Sequence, residues 1–323
     1  MSIVPGVDGP AVSSARRRLP PSSRAAGVAL VAVSASSFGA MAVFARIAYD
    51  GGADVTAVLF LRFAVAAPCM AVLMRARGLS WPRGRRLAGL VAMGAVGYVG
   101  QSLAYFTALT LASASLVSLL LYAYPAIVTV LSILVLGTRL TPVRSAALGL
   151  ALGGTVLIVG PELSGRPLGV ALGASAAVIY SVYIIVGARL TAHTGALASS
   201  AVIVTAAATV YTVLAAVQRP SLPATAGSWA AVGAIAVVST VVAITAFFAG
   251  MARLGATDAS TLSTLEPVVT VALAWAVLGE RLSLPQLLGG ALVLVAVVTL
   301  ARAGGRVEGV GEETATDRVG GSS

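Results

Sequence analysis

The chain has 323 residues, of which 58% are apolar and 10% are charged, and its mean hydropathy is +0.98. A water-soluble domain is about half apolar and a quarter charged, so this composition excludes an ordinary soluble protein. The single cysteine, Cys69, excludes a disulfide scaffold within the chain. The net charge of +10 comes from arginines in the breaks between apolar runs, which indicates membrane orientation rather than nucleic-acid binding.

The apolar runs predict the transmembrane helices. A helix needs about 20 mostly apolar residues to cross a bilayer. Ten runs meet this requirement, and the breaks between them carry glycine, proline and charge. We therefore predict an all-α membrane protein of ten transmembrane helices, numbered spans 1 to 10. The predicted spans are 26–48, 55–75, 87–108, 113–136, 142–160, 167–189, 196–217, 228–252, 257–279 and 284–302.

The second half of the sequence repeats the first. Segments 106–140 and 248–282 are identical at 11 of 35 positions without a gap, and the match pairs Pro125 with Pro267. We predict two five-helix repeats, over 26–160 and 167–302. Because five is an odd number, the two repeats cross the membrane in opposite senses, as in the inverted repeats of secondary transporters. Two residues that are 142 positions apart in the sequence, as Pro125 and Pro267 are, are called counterparts below.

The arginines predict the orientation of the chain. Sixteen lie in segments on one side of the predicted membrane and four on the other, which assigns both termini to the cytoplasm. The polar segments 1–25 and 303–323 are predicted to be disordered cytoplasmic tails. The lack of lysine in an Ala-, Gly- and Val-rich chain is typical of GC-rich coding, so we expect the cytoplasmic membrane of a bacterium.

The second half of the chain carries a recognisable signature. Leu265, Glu266 and Pro267 precede the sequence LGERL at 278–282, and then come Gln286 and Gly289. With the five-plus-five layout, this pattern resembles the EamA-type family of the drug/metabolite transporter superfamily, in the form with two EamA domains. The first half departs from it, since Tyr124 precedes Pro125 and Thr138 corresponds to Glu280. The resemblance implies a transporter of amino acids, other metabolites or drugs, in which export is common and some members import.

Glu266 lies near the middle of predicted span 9, where an ionised side chain in lipid would be costly. Ser263 and Thr270, at −3 and +4, extend a polar stripe along the helix. Pro267 and its counterpart Pro125 lack a backbone N–H, so both predict a helix break. Two interpretations of Glu266 stay open: a site for a substrate ammonium or a proton, and a protonated carboxyl that bonds a freed carbonyl.

Arg62 lies roughly 10 Å from the outer end of predicted span 2, at 1.5 Å per residue. Its guanidinium can bind a substrate carboxylate or neutralise Glu266. Alternatively, its long stem can extend outward to the interface, or its fork can tie backbone carbonyls together. These interpretations also stay open.

Polar and aromatic side chains recur in spans 3, 4 and 6. Tyr98, Gln101 and Tyr105 share one face of span 3, because they are spaced by three and four residues. Such side chains suit a cavity for amphipathic molecules, although tyrosines near span ends are also interfacial anchors. The further candidates are Tyr122, Tyr124, Tyr180 and Tyr183.

The remaining motifs favour a transporter over an enzyme. The chain has no HExxH, paired-aspartate or GxGD motif, and no P-loop for ATP, and we expect neither a metal nor a cofactor. We predict a secondary active transporter that exports a small amphipathic solute by alternating access, with proton coupling open. The alternatives are a non-transporting scaffold or receptor, and an importer. The expected partners are a small-molecule substrate and the lipid bilayer, not nucleic acid, and Gly149 and Gly153 leave a homodimer open.

Overall fold

In the computed structural model, the described residues are 21–109, 111–112, 117, 120–159, 165–279 and 281–303. Every predicted span contains helix within these residues. Spans 3, 8 and 9 consist of consecutive helical segments. The helices are Pro21–Asp50 in span 1, Val55–Ala76 in span 2, Gly84–Ala92, Met93–Tyr98 and Val99–Leu109 in span 3, Tyr124–Leu136 in span 4, Pro142–Val159 in span 5, Pro167–Thr194 in span 6, Ala196–Gln218 in span 7, Ala226–Ala236, Val237–Val242 and Ala243–Leu254 in span 8, Ala256–Leu262 and Leu265–Leu278 in span 9, and Leu284–Ala303 in span 10.

The helices have the length and surface of membrane helices. Within the described residues, nine helices are long and apolar enough to cross a bilayer, and a tenth apolar helix, Tyr124–Leu136, is shorter. Large apolar side chains point outward, among them Val96, Leu134 and Val217, which are 71%, 74% and 77% exposed. Helices satisfy their own backbone hydrogen bonds, which the hydrocarbon region requires. The predicted all-α membrane fold is confirmed.

The first helix begins earlier than predicted. Residues 21–25, which we assigned to the N-terminal tail, belong to the first helix. The reason is tertiary: the Arg24 guanidinium pairs with Asp258 at 3.1 Å and donates to the carbonyl of Leu300 at 3.0 Å. These contacts fix the first turn of span 1 against spans 9 and 10. The rest of the predicted tails, residues 1–20 and 304–323, lies outside the described residues.

The packing of the spans is symmetric between the two repeats. Span 1 packs on spans 8 and 9 of the second repeat, and its counterpart span 6 packs on spans 3 and 4 of the first. Spans 2 and 7 pack on each other, as do spans 5 and 10, so each of these pairs is its own counterpart. The two halves therefore exchange under a two-fold operation, as the inverted-repeat prediction requires.

The same symmetry holds at single residues. Gly39 in span 1 and Ser181 in span 6 are counterparts. A Cβ on Gly39 would lie 2.7 Å from the carbonyl oxygen of Glu266, so only glycine permits this approach. The Ser181 hydroxyl lies 2.7 Å from the carbonyl of Ala177 in its own helix and 3.3 Å from the carbonyl of Tyr124, the counterpart of Glu266. Each contact joins one repeat to the residue that precedes the break proline of the other.

Spans 5 and 10 cross at Gly154 and Gly289. A Cβ on Gly289 would lie 2.5 Å from the Gly154 oxygen, and the reverse distance is 2.6 Å. Gly149 and Gly153, the pair singled out in the sequence, lie on the exposed face of span 5, where an added Cβ meets no described atom within 4 Å. The close contact between spans 5 and 10 is thus made at Gly154, one residue after Gly153.

Candidate functional site

The site is built around two interrupted helices. In span 9 the helix Ala256–Leu262 ends, residues 263–264 form a turn, and the helix Leu265–Leu278 begins just ahead of Pro267. In span 4 residues 122–123 form the equivalent turn, and the helix Tyr124–Leu136 begins just ahead of Pro125. Proline favours the first turn of a helix, where its missing N–H is not needed. Both breaks lie inside the bundle, so two helix N-termini start near its centre.

A cavity of about 130 Å³ lies beside these breaks, with walls from spans 1, 2, 3, 4, 6, 8 and 9. The structure brings nine of the eleven predicted binding residues to its lining. Residues outside the prediction complete the walls. The predicted lining residues are Arg62, Tyr98, Gln101, Tyr105, Tyr122, Tyr124, Tyr180, Tyr183 and Glu266, and the others are Phe38, Met41, Ser102, Leu121, Ile244, Phe247 and Phe248.

Ser263 and Thr270, the other two predicted binding residues, are not in the lining. The Ser263 hydroxyl donates to the carbonyl of Ala259 at 2.9 Å, in the preceding helix Ala256–Leu262. The Thr270 hydroxyl lies 3.0 Å from the carbonyl of Gly39 and 3.1 Å from that of Glu266, so it joins span 9 to span 1. The predicted polar stripe of span 9 therefore contributes Glu266 to the cavity and two packing contacts elsewhere.

Glu266 is half-buried and lies in the first turn of the helix Leu265–Leu278. A carboxylate is favourable there, because the unpaired N–H groups give the helix N-terminus a partial positive charge. Its side chain lies near the side chain of Tyr122 from the opposite break, and both line the cavity. No ion pair joins Glu266 to Arg62, although both side chains are described. Arg62 therefore does not contact Glu266 directly, and its charge can act on Glu266 only across the cavity that both residues line.

Four tyrosine rings form a continuous wall of the cavity. The ring of Tyr124 lies edge-on to Tyr180 with centroids 4.8 Å apart, and Tyr180 stacks on Tyr183 at 6.1 Å. Tyr183 in turn meets Tyr98 edge-on at 5.9 Å. Such a wall presents ring faces for stacking or cation–π contact and hydroxyl groups for hydrogen bonds. These tyrosines lie inside the bundle, so the alternative of interfacial anchors does not describe them.

Arg62 is 3% exposed, so the interpretation that its side chain extends outward to the interface is wrong. Its Nε donates to the Thr240 hydroxyl at 2.6 Å. Its Nη2 donates to the Tyr98 hydroxyl at 2.8 Å and to the carbonyl of Ser239 at 3.3 Å. Arg62 therefore joins span 2 to spans 3 and 8, and it ties one backbone carbonyl as the sequence allowed.

The partners of Arg62 in span 8 gave a sequence signal that the prediction did not use. Ser239 and Thr240 form a polar pair in the middle of span 8, where polar side chains are costly unless they are bonded. Phe247 gave no signal, because an apolar residue in an apolar helix is indistinguishable from a lipid-facing one.

The described residues contain no group of three or more His, Cys, Asp or Glu side chains that would hold a metal ion. The polar groups of the cavity are hydroxyls, one amide, one guanidinium and one carboxylate. This set can hold and orient an organic solute through hydrogen bonds, ring contacts and a single negative charge.

Comparison with known proteins establishes the family. A search of curated proteins finds no match. A solved structure described as "Crystal structure of protein" superposes with a TM-score of 0.78 at 23% identity, over 87% of this chain and 98% of that one, and so shares the fold. The model of the EamA-like transporter family matches residues 25–160 and again residues 167–302. This multi-pass membrane protein, with its two EamA repeats, therefore belongs to the EamA-like transporter family of the drug/metabolite transporter superfamily.

Proposed function

We propose that the protein is a secondary active transporter, not an enzyme, that exports a small amphipathic solute across the cytoplasmic membrane of a bacterium. Membership of a transporter family supports the general class. The observation that carries the proposal further is the cavity beside the two broken helices, in which Glu266 lies among tyrosines. Broken helices that meet at the repeat interface near the bilayer midplane are the usual binding sites of inverted-repeat transporters.

The lining favours a substrate with an aromatic or apolar body and a positive charge. The wall of Tyr124, Tyr180, Tyr183 and Tyr98 suits ring stacking and cation–π contact. Glu266 supplies the negative charge, and Tyr122 lies near it. Arg62 directs three hydrogen bonds to protein atoms, which favours Glu266 over Arg62 as the charged contact of the substrate. Amines, amino acids and cationic drugs fit this description.

Alternating access requires that one side of the cavity is closed while the other is open. Four apolar side chains are buried near the C-terminal ends of spans 2 and 8. They are Met70 and Met74 in span 2 and Met251 and Leu254 in span 8. The arginine distribution supports a cytoplasmic position for those ends. In this arrangement the cavity would be closed toward the cytoplasm. If the two repeats exchange conformations, the cavity would open toward the cytoplasm and close on the other side of the membrane.

Glu266 supports a proton-coupled mechanism. A carboxyl group that holds a proton in the empty site and gives it up to bind a substrate cation avoids an unpaired buried charge in either state. If each step is followed by reorientation, one proton enters for each cation that leaves. This exchange is antiport, and it needs no ATP.

Two alternatives make different predictions. A non-transporting scaffold or receptor would bind a solute, or none, without flux. An importer of a related metabolite would use the same cavity with the opposite physiological direction. The intramembrane Glu266 beside a cavity favours transport over a scaffold, because a scaffold does not need to stabilise an acid at that depth.

Flux in proteoliposomes tests the proposal. The probes are radiolabelled phenylalanine and phenethyltrimethylammonium, whose fixed charge prevents passive accumulation in an acidic lumen. We expect uptake of the cation to rise when the lumen is more acidic than the medium and to fall when an ionophore collapses that gradient. Protein-free liposomes are the control. If neither probe nor any member of a panel of amino acids, aromatic amines and quaternary cations is transported, the proposal of a transporter is contradicted in favour of a scaffold or receptor.

A further inference from the structure

We infer that Arg62 is a positioning residue: it holds Tyr98 at the cavity wall and ties span 3 to span 8, and it does not contact the substrate. This inference rests on the proposed transport function. It is carried by an observation of its own, the hydrogen bonds that a single buried guanidinium makes to both repeats.

The two helices that Arg62 joins are both locally widened. Residues Met93–Tyr98 in span 3 and Val237–Val242 in span 8 form π-helical turns. Such turns are rare and occur frequently at functional sites. Spans 3 and 8 are counterparts in the two repeats, and when the repeats are aligned the two turns overlap over positions 237–240. The same irregularity is therefore present in both halves.

Arg62 bonds the same position in each repeat, because Tyr98 and Thr240 are counterparts. The Arg62 Nη2 donates to the Tyr98 hydroxyl at 2.8 Å, and its Nε donates to the Thr240 hydroxyl at 2.6 Å. Since Arg62 belongs to span 2, which packs on its own counterpart span 7, the guanidinium lies between the two repeats. One side chain thus connects both π-helical turns.

The bonds of Arg62 continue into the neighbouring helices. The Thr240 hydroxyl donates to the carbonyl of Ile235 at 2.9 Å, five residues earlier along span 8. The carbonyl of Ser239 accepts from Arg62, and the Ser239 hydroxyl donates to the carbonyl of Ser37 in span 1 at 2.6 Å. Spans 1, 2, 3 and 8 are joined by this network, and all four contribute to the cavity walls next to it.

The surroundings of Arg62 require the planar fork of arginine. The guanidinium carbon lies 5.0 Å from the ring centroid of Phe63 and 5.7 Å from that of Tyr98. A buried cation needs several fixed partners, and a guanidinium donates in a plane while it stacks on rings. A lysine ammonium carries the charge but cannot reproduce the separate Nε and Nη2 bonds. We therefore expect Arg62→Lys to lose most of the function of Arg62.

Arg62 acts on the substrate site through Tyr98. Its ring lies in the cavity wall, edge-on to Tyr183 at 5.9 Å and to Phe63 at 5.4 Å. The bond from Arg62 fixes the hydroxyl and therefore the ring orientation. Without it the ring can turn within the wall, so a change at Arg62 alters substrate binding through Tyr98.

A matched pair of probes separates positioning from direct contact. Phenethyltrimethylammonium and N,N,N-trimethylphenylalanine differ by one carboxylate, and both carry a fixed positive charge. We expect Arg62→Gln to raise the KM of both probes by the same factor, about tenfold for the loss of a charged hydrogen bond. Tyr98→Phe should raise KM similarly, and the double variant should be no worse than either single variant. If Arg62→Gln impairs only the carboxylated probe, or still acts in the Tyr98→Phe background, the inference is wrong and Arg62 binds substrate.

Hydrogen–deuterium exchange tests, without any substrate, whether Arg62 holds spans 3 and 8 together. Arg62→Gln and Arg62→Lys should both accelerate amide exchange in Met93–Tyr98 and Val237–Val242, whereas Arg46→Gln, which alters an exposed arginine of span 1, should not. If exchange in Arg62→Gln is unchanged, Arg62 does not hold spans 3 and 8 together. If exchange in Arg62→Lys equals that of the wild-type protein, the planar guanidinium is not required. If the wild-type protein transports neither these probes nor any member of the panel of amino acids, aromatic amines and quaternary cations, the proposed function fails, while this measurement still decides the structural role of Arg62.

Discussion

Tyr124 and Glu266 occupy the same position in the two repeats, and both line the same cavity. Each directly precedes a proline at a helix break, and each carbonyl is contacted by the other repeat, at Ser181 and at Gly39. The backbone is thus symmetric at this point while the side chains differ. A phenol on one side and a carboxylate on the other leave the cavity with one acid rather than two.

The crossing of spans 5 and 10 gives the first prediction. Gly289→Ala places a methyl group 2.5 Å from the Gly154 oxygen, where neither helix backbone can yield easily. We expect a loss of about 1–3 kcal/mol in the free energy of unfolding, the usual range for overpacking. Thermal unfolding in detergent measures it.

Gly153→Ala is the matched control, because its added Cβ meets no described atom within 4 Å. Alanine is also the better helix former, so this variant should be unchanged or slightly more stable. Equal melting temperatures for the two variants would show that the helices separate readily at this crossing.

The second prediction concerns Asp258, which is 1% exposed between two arginines. Its carboxylate lies 3.1 Å from Arg24 Nη2 and 2.8 Å from Arg144 Nε, and so joins spans 1, 5 and 9. Asp258→Asn leaves two guanidinium groups close together without a counter-charge. We expect it to lower the free energy of unfolding by about 3 kcal/mol, as for a broken buried ion pair.

Asp50→Asn is the control for that experiment. The Asp50 carboxylate lies 3.5 Å from Arg46 Nε, and the side chains of Arg46 and Asp50 are 64% and 68% exposed. An exposed pair contributes about 0–1 kcal/mol, so the melting temperature should hardly change. A comparable drop in both variants would contradict a special role for the buried network at Asp258.

The large features of the fold were predictable from local properties of the sequence. The length of apolar runs predicts spans because the bilayer has a fixed thickness. Pro125 and Pro267 recur at matching positions of the two repeats, and the helices are interrupted immediately before both. Arg62 and Glu266 were predictable as site residues because charged side chains at that depth in the membrane are costly, and both line the cavity.

The details of the site depended on information that helical periodicity does not contain. Ser263 was predicted beside Glu266 from a spacing of three, but the turn at 263–264 interrupts the helix and ends that phase relation. Thr270 stays in phase with Glu266, yet its hydroxyl contacts Gly39 of another span. The partners of Asp258 are 234 and 114 residues away in the sequence, a separation that single-sequence periodicity cannot bridge.

The third prediction concerns orientation. In a Cys69→Ala background, Gly78→Cys lies between spans 2 and 3 and Ala224→Cys lies between spans 7 and 8. If the arginine-rich segments are cytoplasmic, an impermeant maleimide should label intact cells at position 224 and label position 78 only after permeabilisation. The reverse pattern would place both termini outside and would reverse the assigned direction of the closed side.

The fourth prediction concerns Glu266 as the coupling group. Protons and a cationic substrate compete for its carboxylate, so in the wild-type protein the KM of phenethyltrimethylammonium should rise as the pH falls. Glu266→Gln keeps the shape and the hydrogen-bonding capacity of the side chain but cannot release a proton. We expect this variant to fold, to keep weak facilitated flux of the probe, and to lose the pH dependence.

Two further variants separate coupling from a structural role. Glu266→Asp retains a titratable group and should retain a pH-dependent flux, whereas Glu266→Ala removes the polar side chain from the first turn of the helix Leu265–Leu278 and should lower the melting temperature. Flux measured across a pH series in proteoliposomes, with melting curves of the same preparations, decides the matter. If Glu266→Gln transports with the wild-type pH profile, Glu266 does not couple protons to transport. The side chain would then serve the helix break itself, as a protonated carboxyl bonded at the start of the helix Leu265–Leu278.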